Sequence, residues 1–177
     1  DALTTGACNI AIGHNAYGTA AAGGQNIAIG TCSMGCCLVT GVDNVGIGRA
    51  SLEDVVAGAE NTGIGLGALS NLTSGDRNTA IGSAALSGGA VSGDHNVAIG
   101  YQTADAIVAG ACNVAVGYGA YGTAAAGGHN IALGTTAMGG SLVIGANNIA
   151  IGQNAADALL AGACNIAMGI NALGAST

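Results

Sequence analysis

The sequence lacks several residue types that most folded domains use. Its 177 residues include no Trp, Phe or Pro, and both of its basic residues are Arg. Half of the residues are apolar, and Ala, Ile, Val and Leu supply nearly all of these. The chain also has 34 Gly but only four Tyr. A core built from such small side chains must be thin and regular.

Charged residues are also scarce, at 6% of the chain, which is too few to solvate the surface of an ordinary domain. We therefore expect another chain to cover part of the surface. With a net charge of −7 and only two cations, the chain cannot neutralise phosphates, so we expect no nucleic-acid partner. Polar residues or Gly interrupt every apolar run before about 18 residues accumulate, so we expect no membrane insertion.

A repeat of 17 or 18 residues, with the signature Asn-x-Ala-x-Gly, organises the whole chain. Three units sum to 52 residues, and units three apart resemble each other most closely, as in NVAIGYQTADAIVAGAC and NIAIGQNAADALLAGAC. The signature begins at ten positions, which are Asn9, Asn26, Asn44, Asn61, Asn78, Asn96, Asn113, Asn130, Asn148 and Asn165.

Large and small apolar residues alternate with period two in Ile10-Ala11-Ile12, which predicts a short strand that Gly13 ends. One strand per 17 residues is typical of a solenoid turn, because helical repeats need about 33 residues or more per unit. We therefore predict one all-β domain over residues 1–177. It is a parallel β-solenoid, or β-roll, of about ten turns with a three-turn superrepeat of 52 residues.

Each part of the repeat has a predicted place in this solenoid. We expect the Ile and Val residues to stack inside the coil, and the ten Asn residues to form structural corners, since Asn tolerates a left-handed backbone. A strand that is apolar on both faces is normally covered on both, so we expect the Ala row to pack against partner chains. The predicted oligomer interface is Ala11, Ala28, Ala80, Ala98, Ala115, Ala132, Ala150 and Ala167.

The six cysteines allow more than one interpretation. Cys8, Cys112 and Cys164 precede corner Asn residues in separate turns, too far apart to bridge within one rod, so they are either buried apolar residues or partners in cross-chain disulfides. Cys32 shares one turn with Cys36 and Cys37, and a disulfide from Cys32 to either is a second candidate.

The repeated units NIAIG, NVAIG and NTAIG resemble the head repeats of trimeric autotransporter adhesins. The segment LTSGDRNTAIGSAAL resembles the related repeats of phage tail-fibre and surface-fibre proteins even more closely. The resemblance covers essentially the whole chain. It implies a homotrimeric β-roll displayed outside a cell or on a virion. The chain departs from the adhesin heads in its longer turns and its six cysteines.

The ionisable residues give no sign of an enzyme or of a cofactor. Glu53, Asp105 and Asp157 occupy equivalent positions three turns apart, about 14 Å along the rod, which is too far for a carboxylate pair. The three His residues lie in different turns without a zinc-binding spacing, so we expect no metal site within one chain.

The hypothesis is a structural or adhesive fibre segment, extracellular on a cell or virion surface, with its own copies and a host-surface ligand as partners. One alternative is an extracellular filament subunit that stacks end to end, since uncapped solenoid ends leave strand edges unpaired. Another is a solenoid that binds ice or another flat surface, although the chain has no Thr-x-Thr ladder.

Overall fold

The computed structural model describes residues 6–18, 22–123, 126–140, 144–159 and 161–174. These residues form a ten-stranded parallel sheet in which each strand pairs with the next one along the chain. The predicted all-β parallel solenoid is therefore confirmed. The strands are β1 (Ile10–Ile12), β2 (Ile27–Ile29), β3 (Val45–Ile47), β4 (Thr62–Ile64), β5 (Thr79–Ile81), β6 (Val97–Ile99), β7 (Val114–Val116), β8 (Ile131–Leu133), β9 (Ile149–Ile151) and β10 (Ile166–Met168).

Every strand pairs in register, so that equivalent residues of successive turns lie side by side. Ala80 of β5, for example, pairs with Ala98 of β6. A set of residues at the same position of successive turns is called a file below. Within the described part of the chain, we find no helix of the length and apolar character that crossing a membrane requires.

Glycine ends each strand because the chain turns there against its neighbour. Gly82 has a φ of +131°, and a Cβ at this position would lie 2.4 Å from the carbonyl oxygen of Gly100. No L side chain fits such a contact. Two left-handed residues follow, Ala84 and Leu86, with φ values of 54° and 52°. Positive φ angles at every second residue from Gly82 to Leu86 curl the chain into a narrow coil, which brings Leu86 back beneath the sheet.

The middle residue of each strand points into the coil, and this corrects the predicted interface. Seven members of the Ala row are buried within the single chain, at 0 to 3% exposure, namely Ala28, Ala80, Ala98, Ala115, Ala132, Ala150 and Ala167. Ala11, the eighth, is exposed in β1, which has only β2 beside it. These seven buried Ala residues are therefore unable to contact partner chains.

The interior selects small strand residues because larger side chains from the rest of the turn fill it. Met34, Leu52, Leu69 and Leu86 are the second left-handed residues of their turns, and all four are fully buried. Where β3 has Gly46 in place of Ala, a Cβ would already lie 3.2 Å from Cε of Met34. An Ile on the inner face has no room. The prediction that the Ile and Val files lie inside is accordingly wrong, and they face outward.

The ten predicted corner Asn residues form a continuous hydrogen-bonded ladder. Asn61, which is fully buried, donates its backbone N–H to Oδ1 of Asn44 at 3.0 Å, and its Nδ2 donates to the same oxygen and to the carbonyl of Gly75. Its own Oδ1 accepts the backbone N–H of Asn78 at 2.8 Å. Each inner Asn thus has partners for its amide, its side-chain NH2 and its side-chain oxygen.

Two tyrosines extend the ladder in the two turns that contain the segment Ala-Tyr-Gly-Thr-Ala-Ala-Ala. The Tyr121 hydroxyl donates to the carbonyl of Gly127 at 3.0 Å and accepts from Nδ2 of Asn130 at 2.7 Å. Tyr17 makes equivalent bonds to Gly23 and Asn26. Burial raises the pKa of Tyr121 to about 12, so this hydroxyl remains a neutral donor well into the alkaline range.

We predict that Asn78→Ala lowers the free energy of unfolding by roughly 2–5 kcal/mol, because it leaves the buried amide of Asn96 and the carbonyl of Gly93 without partners. Asn165→Ala is the matched control. Asn165 is half-buried in the last strand-bearing turn, and we expect less than about 1.5 kcal/mol there. Urea unfolding at equal protein concentration measures both changes. An equal loss of unfolding free energy in the two variants would contradict the view that an inner Asn stabilises the turns on both of its sides.

Candidate functional site

The outward side of the sheet carries two parallel files of aliphatic residues. The first file precedes the buried Ala or Gly of each strand and the second follows it; together they are called the aliphatic face. The first file consists of Ile10, Ile27, Val45, Thr62, Thr79, Val97, Val114, Ile131, Ile149 and Ile166, and the second consists of Ile12, Ile29, Ile47, Ile64, Ile81, Ile99, Val116, Leu133, Ile151 and Met168.

The aliphatic face is accessible and uncharged along its whole length. Neither file contains an ionisable side chain, and two Thr residues are its only polar members. In the middle of the sheet Ile47, Ile81 and Ile99 are each 37 to 38% exposed. With about 4.8 Å between strands the face is about 43 Å long, and with three residues per strand it is about 10 Å wide. A patch of about 430 Å2 is at the scale that marks interaction surfaces in monomeric proteins.

A third file, called the corner file below, is exposed along the corner of the coil. It consists of the residue immediately before each Asn of the ladder. Its residues share a left-handed backbone, with φ between 57° and 61°. Arg77 and Glu60 of this corner file form an ion pair across two successive turns, with Nη2 and Oε1 3.2 Å apart. The corner file consists of Cys8, Gln25, Asp43, Glu60, Arg77, His95, Cys112, His129, Asn147 and Cys164.

The cysteines occupy two kinds of position, and no disulfide joins any of them within the chain. Cys8, Cys112 and Cys164 are exposed in the corner file, so the interpretation of these three as buried apolar residues is wrong. The candidate disulfide from Cys32 to Cys36 or Cys37 is not formed. The Cys36 thiol instead donates to Oε1 of Glu53 at 3.1 Å.

The Cys37 thiol donates to Oδ1 of Asp54 at 3.5 Å, so two thiols of one turn face two carboxylates of the next. The hydrogen bond to Glu53 and the nearby negative charges stabilise the protonated thiol and raise the pKa of Cys36 to about 11. Burial and the bond to Asp54 raise the pKa of Cys37. Both thiols are therefore poor nucleophiles at neutral pH.

An open cavity of about 320 Å3 lies on a different side of the coil from the corner file. It is lined by Asp54, Asn71, Thr73, Gly89 and Ala90. Asn71 already donates its side-chain amide to the carbonyl of Ser87. Asp54 accepts from the Cys37 thiol, so the polar groups of this cavity are engaged within the chain.

The side-chain positions of the structure bring together no group of three or more His, Cys, Asp or Glu that could hold a metal ion, as far as the described residues extend. His14 directly follows the Gly that ends β1, whereas His95 and His129 belong to the corner file. Spacing along the sequence does not relate the three His residues to one another. Alignment of the repeats by their phase would have placed His95 and His129 in one file, with Cys112 between them.

Comparison with family models, with curated proteins and with solved structures gives no match for this chain.

We predict that Glu53→Gln lowers the pKa of the Cys36 thiol, because it removes the carboxylate charge that disfavours the thiolate. At about pH 8 a larger fraction of Cys36 is then ionised, and its alkylation by iodoacetamide becomes severalfold faster. Peptide-resolved mass spectrometry measures the rate at each cysteine. Asp54→Asn is the control and should act mainly on Cys37. An unchanged Cys36 rate in Glu53→Gln would contradict the assignment.

Proposed function

We propose that this chain is a structural rod of a surface fibre and that its copies pack side by side through the aliphatic face. The observation that carries the proposal is the outward direction of two uncharged aliphatic files along all ten strands. Water is a poor environment for such a surface, and the same faces of further copies, turned toward a common axis, can cover it.

The repeat also supports alignment of the copies parallel to the rod. All copies have the same spacing of about 4.8 Å between turns, so each strand of one copy meets an equivalent strand of another along the full length. Covering the whole face stabilises a copy by about 10 kcal/mol, from about 430 Å2 at 25 cal/mol per Å2. This is similar to the 4–15 kcal/mol that association costs in lost freedom, so only cover along the whole rod gives a stable assembly.

The resemblance of the NTAIG-type repeats to adhesin heads and phage fibres supports the finer parts of the proposal. These parts are three copies around a common axis, display outside a cell or on a virion, and attachment to a host-surface ligand. Low charge and the apolar outer face agree with a fibre whose copies shield one another. The proposal assigns the chain no catalytic activity.

The test is the absolute mass of the particle by size-exclusion chromatography with light scattering. We predict three times the 16.5 kDa chain mass for the unaltered protein. Ile81→Lys places a charge at the centre of the aliphatic face and should lower the mass at the same concentration, since a buried unpaired ammonium is costly. Val56→Lys is the matched control, because Val56 is as exposed as Ile81, at 38%, but lies off the sheet. Circular dichroism checks that both variants remain folded.

Other masses would redirect the proposal. A monomeric unaltered chain would overturn the proposal and favour binding of the open face to a flat surface such as ice. Very large species that persist in Ile81→Lys would favour end-to-end filaments instead. Dissociation of the unaltered protein by a reductant would indicate cross-chain disulfides, for which the exposed Cys8, Cys36, Cys112 and Cys164 are the candidates.

A further inference from the structure

Three metal-ligating residues follow one another without interruption in the corner file. His95, Cys112 and His129 occupy the same position of three successive turns, each directly before a ladder Asn. Their φ values are 59°, 59° and 58°, so their side chains leave the backbone in the same direction. All three side chains are exposed.

The backbone around these residues is held by the stacking of the turns. Cys112 donates its N–H to the carbonyl of Asp94 at 2.9 Å, and His129 donates to the carbonyl of Ala111 at 3.0 Å. These bonds repeat the same contact from turn to turn. The three residues therefore lie about 4.8 Å apart in a straight row, with the two His residues about 9.6 Å from each other.

This spacing matches the reach of the side chains. A zinc ion bound to the Cys112 sulfur at about 2.3 Å lies about 3.3 Å from the Cβ of Cys112, and therefore about 6 Å from the Cβ of either His. An imidazole that binds through Nε2 at about 2.0–2.1 Å spans this distance. The imidazoles reach such a point by rotation between staggered rotamers, although in the structure the three side chains are not gathered.

A neighbouring pair shows that side chains of this file meet across turns. Arg77 and Glu60 are also consecutive members, and both Nε and Nη2 of the guanidinium lie 3.2 Å from the carboxylate oxygens. Arg77 is the cation next to His95 in the file, and its ion pair with Glu60 balances the charge of the guanidinium. On the other side of His129 stands the neutral Asn147.

We propose that His95, Cys112 and His129 form a surface site for a divalent metal ion of the zinc class. Two imidazoles and one thiolate suit Zn2+ and disfavour Ca2+ and Mg2+, which select oxygen ligands. Three protein ligands leave the fourth tetrahedral position to water. The bound ion would link three consecutive turns of the rod on its exposed corner.

The test is titration of the unaltered protein with Co2+ alone under reducing conditions. We expect one cobalt ion per chain, a thiolate-to-cobalt charge-transfer band and the visible bands of tetrahedral Co2+, all of which Zn2+ then abolishes. Cys112→Ser should remove the charge-transfer band. His95→Asn and His129→Asn should each weaken the apparent affinity by about tenfold or more.

The chain offers matched controls. Cys164 lies in the same file but is separated from His129 by Asn147, so Cys164→Ser should keep the band. His14→Asn should keep it too. The band should also persist in Ile81→Lys, since the site lies within one chain. Absence of the band, its retention in Cys112→Ser, or its loss in Cys36→Ser would each overturn the proposal.

Discussion

Each corner asparagine joins its turn to the two beside it through buried hydrogen bonds, and this contact fixes the place of every other residue in the turn. Asn61 shows the pattern, with Oδ1 of Asn44 before it and the amide of Asn78 after it. Because the bonds connect equivalent atoms, every turn, whether it has 17 or 18 residues, has to bring its Asn directly above the Asn of the turn before. The difference of one residue falls outside the strands, whose register is unbroken from β1 to β10.

Fixed phase and a narrow interior together decide which residues face outward. Leu52 and Met34 fill the space under the sheet, and even the Gly residues of β3 and β4 leave little room for a Cβ. The larger aliphatic residues are therefore displaced to the outer side. In an ordinary domain they would form the core. Here they form a flat surface that a second layer of protein can cover, which is why the proposed function is assembly rather than chemistry.

The sequence was sufficient to predict the solenoid, the strands and the Asn corners, because each follows from a period of 17 or 18 residues and an alternation of two. The left-handed backbone expected at each corner Asn belongs instead to the residue before it. The sequence was not sufficient to predict which face of each strand points into the coil. The alternation defines two faces, and the expectation that the larger residues lie inside is wrong. The space beneath the sheet is filled by side chains from another part of the turn, such as Leu86. The row of His95, Cys112 and His129 was missed because spacing along the chain was compared with known motifs instead of with the repeat.

If copies of the chain cover the aliphatic face, a probe on that face is shielded from water. Tryptophan fluorescence measures this shielding without background, because the chain contains no Trp. Ile81→Trp places a single probe at the centre of the face, and Val56→Trp places one at equal exposure away from the sheet. We expect blue-shifted emission and weak acrylamide quenching for Ile81→Trp in the assembled particle, because other copies cover this probe. We expect solvent-like emission for Val56→Trp. Solvent-like emission from Ile81→Trp in a particle of three chain masses would contradict the cover of the aliphatic face by other copies.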